Sequence, residues 1–225
     1  MNTKPYALLF AACLLGAPAM AQEVAVDPVM QDVSGLQNEW AHIKYEVADK
    51  KLQKSDMAAL GDRAAQIAAR WPNRAEPKIW EGIILATDAG MEGGISALGK
   101  VKDAKTLFEQ ALQIDDRALD GSAHTSLGSL YYQVPGWPVA FGDDKKAETE
   151  LRAALAINPD GIDQNYFYGD YLVKQKKYKE AVAPLQKALS APPREGRAVA
   201  DAGRRKEIEA DLGIVAKNGV TSGFN

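Results

Sequence analysis

Nucleophilic and metal-assisted catalysis draw mostly on histidine and cysteine, and this chain of 225 residues holds only His42, His124 and Cys13. The two histidines fall on the first helices of different repeats, too far apart in sequence to form a local pair. No H-E-x-x-H, G-x-S-x-G, glycine-rich phosphate loop or paired C-x-x-C occurs. His124 occupies a helix position suited to a packing aromatic, so it reads as a core or boundary residue. Asp160-Gly161-Ile162-Asp163 resembles a calcium loop only faintly, lacking the glutamate and spacing of an EF-hand. Turn and cap chemistry explains it better. Carboxylates elsewhere are spread over helix faces with lysines nearby, as on solvated surfaces. The expectation is a protein that is not an enzyme, with no cofactor and no metal. A hydrolase would need two carboxylates converging in a closed pocket.

The elements that would position any binding residue are helical throughout. Ala104-Phe108-Ala111, Ala147-Leu151-Ala154 and Ala181-Leu185-Ala188 repeat one phrase: a small residue, a large apolar one four later, a small one three after that. The last two reach Pro159 and Pro193, 34 residues apart. That period marks a helical hairpin stacked on copies of itself. The predicted fold is all-α, a tetratricopeptide-like helical-hairpin solenoid with inserted loops and a C-terminal capping helix, over residues 35–217. Gly128 and Gly169 on first helices are expected to face the alanine opening the second, letting the backbones nest.

A first, degenerate hairpin opens at the capping box Ser34-Gly35-Leu36-Gln37 and carries Leu36, Trp40, Ile43 and Val47. Its second helix is expected from an N-cap at Ser55 to Trp71, before Pro72. The second hairpin begins near Pro77 with Trp80, Ile83, Ile84 and Thr87. The third starts after Ser122, and the fourth runs from Asp163 to Pro193. A terminal helix is expected from about Asp201 to Ala216, with a tail over 218–225.

Two hairpins are too long at the same place. Thr87 to Ala104 carries roughly eight extra residues, with Gly90, Gly93, Gly94 and Gly99, and Tyr131 to Ala147 about seven, Pro135 to Gly142. Adjacent insertions should form one rim, where Trp137 and Phe141 either anchor a partner or pin the loop to the body.

At the other end, Lys4, the apolar run Tyr6–Leu15 and Ala19-Met20-Ala21 form a secretory signal peptide over residues 1–21, cleaved before Gln22. The apolar run is shorter than the ~20 residues a membrane span needs. Residues 22–34 read as a flexible lead-in. An alternative is lipidation at Cys13, whose Phe10-Ala11-Ala12-Cys13 context loosely resembles a lipobox. Export to the periplasm is the expectation. About 200 residues then remain, enough for one domain or a short solenoid. A net charge of −3 argues against a nucleic-acid partner. The basic cluster Arg194, Arg197, Arg204, Arg205 and Lys206 reads as a solvated face of the last helix.

From the repeat geometry, first helices line the concave surface at offsets of minus two, two, five and six from Ile83, Leu127 and Tyr168. This selects Glu81, Leu85, Asp88, Thr125, Ser129, Tyr132, Tyr166, Asp170, Val173 and Lys174 as candidate binding residues, beside Trp137 and Phe141. Such a mixture suits an extended peptide, a partner helix or an amphiphilic small ligand. Self-association is a further option.

Tyr131-Tyr132, Pro135-Gly136-Trp137-Pro138, Phe141-Gly142-Asp143, Lys146-Ala147-Glu148, Asn158-Pro159 and Asn165-Tyr166-Phe167-Tyr168 stand in an order that resembles the T component of tripartite ATP-independent periplasmic (TRAP) transporters. The same block is similar to the regulators of microtubule dynamics. The resemblance covers residues 75–193. It implies an all-helical periplasmic protein that associates with a solute-binding protein and shelters a hydrophobic or organic-acid ligand. Many members are lipoproteins, from which the signal peptide here departs. A general tetratricopeptide adaptor in envelope assembly is the alternative.

Overall fold

The computed structural model describes residues 27–220; the segment read as a signal peptide (1–21, with Cys13) and residues 22–26 and 221–225 lie outside them. Among the described residues the chain is all-helical: α1 (Pro28–Tyr45), α2 (Lys50–Arg70), α3 (Ala75–Glu92), α4 (Ala97–Ile114), α5 (Ala118–Gln133), α6 (Asp144–Ile157), α7 (Ile162–Lys174), α8 (Tyr178–Leu189) and α9 (Ala198–Lys217). Neighbours in sequence pair as hairpins, α1/α2 to α7/α8, stacked into a helical-hairpin solenoid. None of these helices is long and apolar enough to cross a membrane.

Aspartates start three of the helices. Asp27, Asp49 and Asp143 each accept hydrogen bonds from backbone N–H groups of the first turn, satisfying donors that lack intrahelical partners. Asp27 and Asp49 correct two expectations. The first helix begins at Pro28, inside the segment read as a lead-in, because Val29 and Val33 bury in the first hairpin's core. The second begins five residues before Ser55, which lies within it.

The second, third and fourth hairpins each close on the repeated phrase. Ala104, Ala147, Ala181, Phe108, Leu151 and Leu185 are all fully buried. Gly128 faces Ala147 as expected, a Cβ there standing 3.2 Å from the Ala147 carbonyl oxygen, but no alanine lies that close to Gly169, and the nearest neighbour in both cases is the large residue. Gly82, Gly128 and Gly169 sit against the large residue of the phrase: an added Cβ would stand 2.5 Å from the Phe108 ring, 2.7 Å from Leu151 Cγ and 2.6 Å from Leu185. Gly82 is therefore the counterpart of Gly128 and Gly169, and the register of α3 is set by it.

The two insertions take different forms. The first lengthens α3 and α4 to 18 residues each and turns between them at Gly93 and Gly94, whose positive φ of 68° and 72° suits glycine. The second is a true loop from Val134 to Asp143. It is closed by Gly142 N–H donating to Pro135 O (2.9 Å) and Asp143 N–H donating to Tyr131 O (2.8 Å).

α9 packs on α8 as a cap should, and it also reaches α7 and α1. Gly203 on α9 lies flat against the Tyr45 ring, where a Cβ would approach to 2.4 Å. Ala200 joins the core of the first hairpin. The last helix thus spans the concave side of the array and ties its two ends together.

A concave cavity closed by the last helix

Closure leaves a cavity of about 580 Å³ between the first helices of the hairpins and α9. Along α3 its wall is Ile83, Ala86, Thr87 and Gly90; along α5 it is Ser122, Thr125, Ser126, Ser129 and Gln133. Those spacings of three and four are one face of a helix. α1 contributes Trp40, Lys44 and Tyr45, α7 Asp163, Tyr166 and Phe167, and the α9 side Arg194, Arg197, Arg204 and Glu207.

Aromatic rings and hydroxyls make one half of this lining. Trp40 meets Trp80 edge-on at 5.7 Å, and its indole N–H donates to Thr87 Oγ1 at 2.9 Å, itself bonded to Ile83 O. The floor turns at Leu119 and Asp120, both with positive φ (49° and 57°). This turn is held by Gln164 Nε2 donating to Asp120 O at 2.7 Å and Ser122 Oγ donating to Leu119 O at 2.6 Å.

The other half is ionic. Arg194 donates to Asp163 at 2.7 Å and to Asp201 at 2.8 Å. Arg204, buried, donates to Asp163 at 2.8 Å and to Glu207 at 2.5 Å, and lies 4.3 Å over the Tyr166 ring and 4.6 Å over Phe167. Lys44 pairs with Glu207 at 2.9 Å and sits over both Trp40 and Tyr45. Burial pushes the Asp163 carboxyl up, but the guanidiniums of Arg204 and Arg194 outweigh it and hold the group well below the usual range. Burial also lowers Lys44, with repulsion from Arg204 adding to it, and raises the Tyr45 and Tyr166 phenols. The basic cluster is therefore no solvated face: three of its five members line the cavity, and Arg205 donates to Ala191 O at 2.7 Å.

Of the candidates chosen from sequence, Thr125, Ser129 and Tyr166 line this cavity. Glu81, Leu85 and Asp88 do not, because their offsets were counted from Ile83. Counted from Glu81, the residue preceding Gly82, the same offsets give Ile79, Ile83, Ala86 and Thr87; the last three line the cavity, while Ile79 is buried in the core. Asp88 is buried and pairs with Lys100 at 2.7 Å. Tyr132 donates to Asp170 at 2.5 Å, Val173 is buried in the core, and Lys174 is exposed. Trp137 and Phe141 part company. Phe141 packs edge-on against Tyr131 at 6.0 Å, while Trp137 is 89% exposed. Trp40, Trp80 and the arginines were missed. No local pattern marks them, because the contacts that turn them inward, such as Asp163 with Arg204, join residues 41 positions apart.

A second cavity of about 420 Å³ lies between the two insertions and is mostly apolar, with Ile95, Leu98, Val101, Val134 and Val139 in its wall. Ala86, Gly90, Leu130 and Gln133 belong to both linings, so the cavities adjoin there.

His124 Nδ1 lies 2.6 Å from Glu150 Oε2, bracing α5 on α6, and His42 is exposed beside Glu46. Asp160 is exposed and pairs with Lys187 at 2.9 Å, while Gly161 caps α7 without a side chain. Among the described residues no group of three or more His, Cys, Asp and Glu is placed to hold a metal ion. No protein-family model matches the chain, and no curated protein matches it.

Proposed function

We propose that this chain is a non-enzymatic binding and scaffold protein of the bacterial periplasm. In this reading it acts as a T component beside the solute-binding protein of a TRAP-type uptake system. The observation that carries a binding role is the cavity closed by α9, with aromatic rings, hydroxyls and guanidiniums converging on it. A cavity of that size with a few placed polar groups is the ordinary form of a small-ligand site. The exposed Trp137, Val139 and Ile95 add apolar contact area at the insertions, as a protein-contact patch does. The TRAP assignment itself leans on the motif order from Tyr131 to Tyr168.

Affinity capture of the tagged protein from periplasmic extract, after mild crosslinking, tests this. Recovery of a periplasmic solute-binding protein is the expected result. An envelope-assembly protein in its place favours a general adaptor, and recovery of no partner overturns the scaffold role.

A further inference from the structure

Four cations line the concave cavity, and three of them are neutralised inside the protein. Lys44 pairs with Glu207, Arg194 with Asp163 and Asp201, and Arg204 with Asp163 and Glu207. Arg197 is different. Its Nε is buried without a hydrogen-bond partner, and its guanidinium carries no ion pair among the described residues. It lies 5.0 Å over the Trp80 ring at the cavity wall. Burial lowers its affinity for the proton, and the next contribution is repulsion from Arg194. The attractive carboxylates that reach it, Asp163 and Asp201, are already shared with Arg194 and Arg204. Asp120, the remaining carboxylate of the lining, is exposed on the opposite turn and forms no salt bridge with it among the described residues. A guanidinium whose Nε is buried without a partner, and whose neighbouring carboxylates are already engaged elsewhere, is costly to hold, and an anion placed beside it reduces that cost.

The rest of the path is apolar along most of α3, with Thr87 on that helix and Ser126, Ser129 and Gln133 on the α5 wall as its uncharged polar groups. From Arg197 and Trp80 the cavity runs past Ile83 and Met91 to Ala86, Gly90 and Leu130, where the chamber between the insertions begins. The walls of that chamber offer aliphatic side chains and no charged one. We propose that the adjoining cavities form one site for a single-chain amphiphile with an anionic head, the head paired with Arg197 and the hydrocarbon chain in the chamber between the insertions. This rests on reading the concave cavity as a binding site, and it adds the ligand's charge, its shape and its direction.

Gly90 provides a clean way to close the passage. It lines both cavities, and a Cβ there would meet nothing within 4 Å, so Gly90→Leu fills the junction without disturbing the core. The experiment is titration calorimetry of the mature protein with dodecanoate, octanoate, dodecanol and dodecyltrimethylammonium, each below its micelle concentration. Dodecanoate should bind at least tenfold more tightly than octanoate, dodecanol or the cationic amphiphile. Arg197→Gln should lower dodecanoate affinity about tenfold or more and leave dodecanol affinity as it was. Gly90→Leu should weaken dodecanoate by a similar factor and octanoate far less. Equal binding of dodecanoate and dodecanol by the parent overturns the head-group pairing. So does an Arg197→Gln protein that loses both ligands together, which assigns Arg197 a structural role. An unaltered Gly90→Leu protein overturns the placement of the chain. If no amphiphile binds, the inference falls while partner capture continues to judge the scaffold role on its own.

Discussion

Gly82 lies directly beneath the ring of Phe108, so close that a methyl group on it would stand 2.5 Å from the ring's Cε1. The same contact recurs between Gly128 and Leu151 and between Gly169 and Leu185. One missing side chain on the first helix makes room for one large side chain on the second, three times over. That is the physical content of the repeat.

Gly82→Ala should therefore destabilise the protein by ~1–3 kcal/mol, because the added methyl displaces the fully buried Phe108 ring from its packed position. The helix-propensity gain of up to ~1 kcal/mol offsets only part of this. Gly90→Ala, in open space on the same helix, should stabilise by ~0.5–1 kcal/mol. Chemical denaturation of the two variants checks the contrast, and equal shifts would show that the glycine contact carries no packing constraint.

The two rings of the second insertion should respond in opposite ways to truncation. Phe141→Ala removes a ring packed on Tyr131 and should cost ~1–2 kcal/mol of stability. Trp137→Ala removes a ring that is 89% exposed and should leave the melting temperature within a degree or two. A loss of partner capture on Trp137→Ala without a loss of stability would place the protein contact at this rim. A marked drop in its melting temperature would contradict the exposure of Trp137.

Asp163 holds Arg194 and Arg204 together, and Asp163→Asn leaves both facing a neutral group. Breaking a buried pair costs ~3–5 kcal/mol, and about 2–3 is expected here because the Asp163 side chain is 26% exposed. With its folded-state value depressed, this carboxylate contributes stability above its unfolded value of 3.8 and loses it only as the pH falls toward the depressed value. Acid titration of the parent and variant should converge at very low pH. A constant gap down to pH 1 would deny the coupling.

Asp211 has the opposite character. Burial, followed by repulsion from Asp170 and Glu207, raises its carboxyl to about 7, and its Oδ2 has no hydrogen-bond partner. A raised folded-state value means that ionisation opposes folding. The contribution of Asp211 to stability is complete below about pH 4, declines as the pH rises to about 7, and is constant above. Asp211→Asn should flatten that slope and make the protein more stable than the parent by ~1–2 kcal/mol at pH 8, with little difference at pH 4.5. Identical slopes in thermal melts across this range would refute the assignment.

The helical phrase was legible in the sequence because it depends on neighbours three and four residues apart, a distance that one helix fixes by itself. Ala147-Leu151-Ala154 and the cap at Asp143 needed nothing from elsewhere in the chain. The register of α3 was harder to read, since Gly82 acquires meaning only from Phe108, 26 residues away. The start of the first helix followed the same logic: Val29 and Val33 become core residues only when the first hairpin folds over them. The cavity belonged wholly to tertiary structure. Asp163 meets Arg204 across 41 positions and Tyr45 meets Glu207 across 162, contacts set by where α9 lies rather than by any local pattern. A run of arginines on a helix reads the same whether water or a carboxylate faces it. Only the return of α9 across the concave side turned that charge inward, where burial demands a partner for each guanidinium.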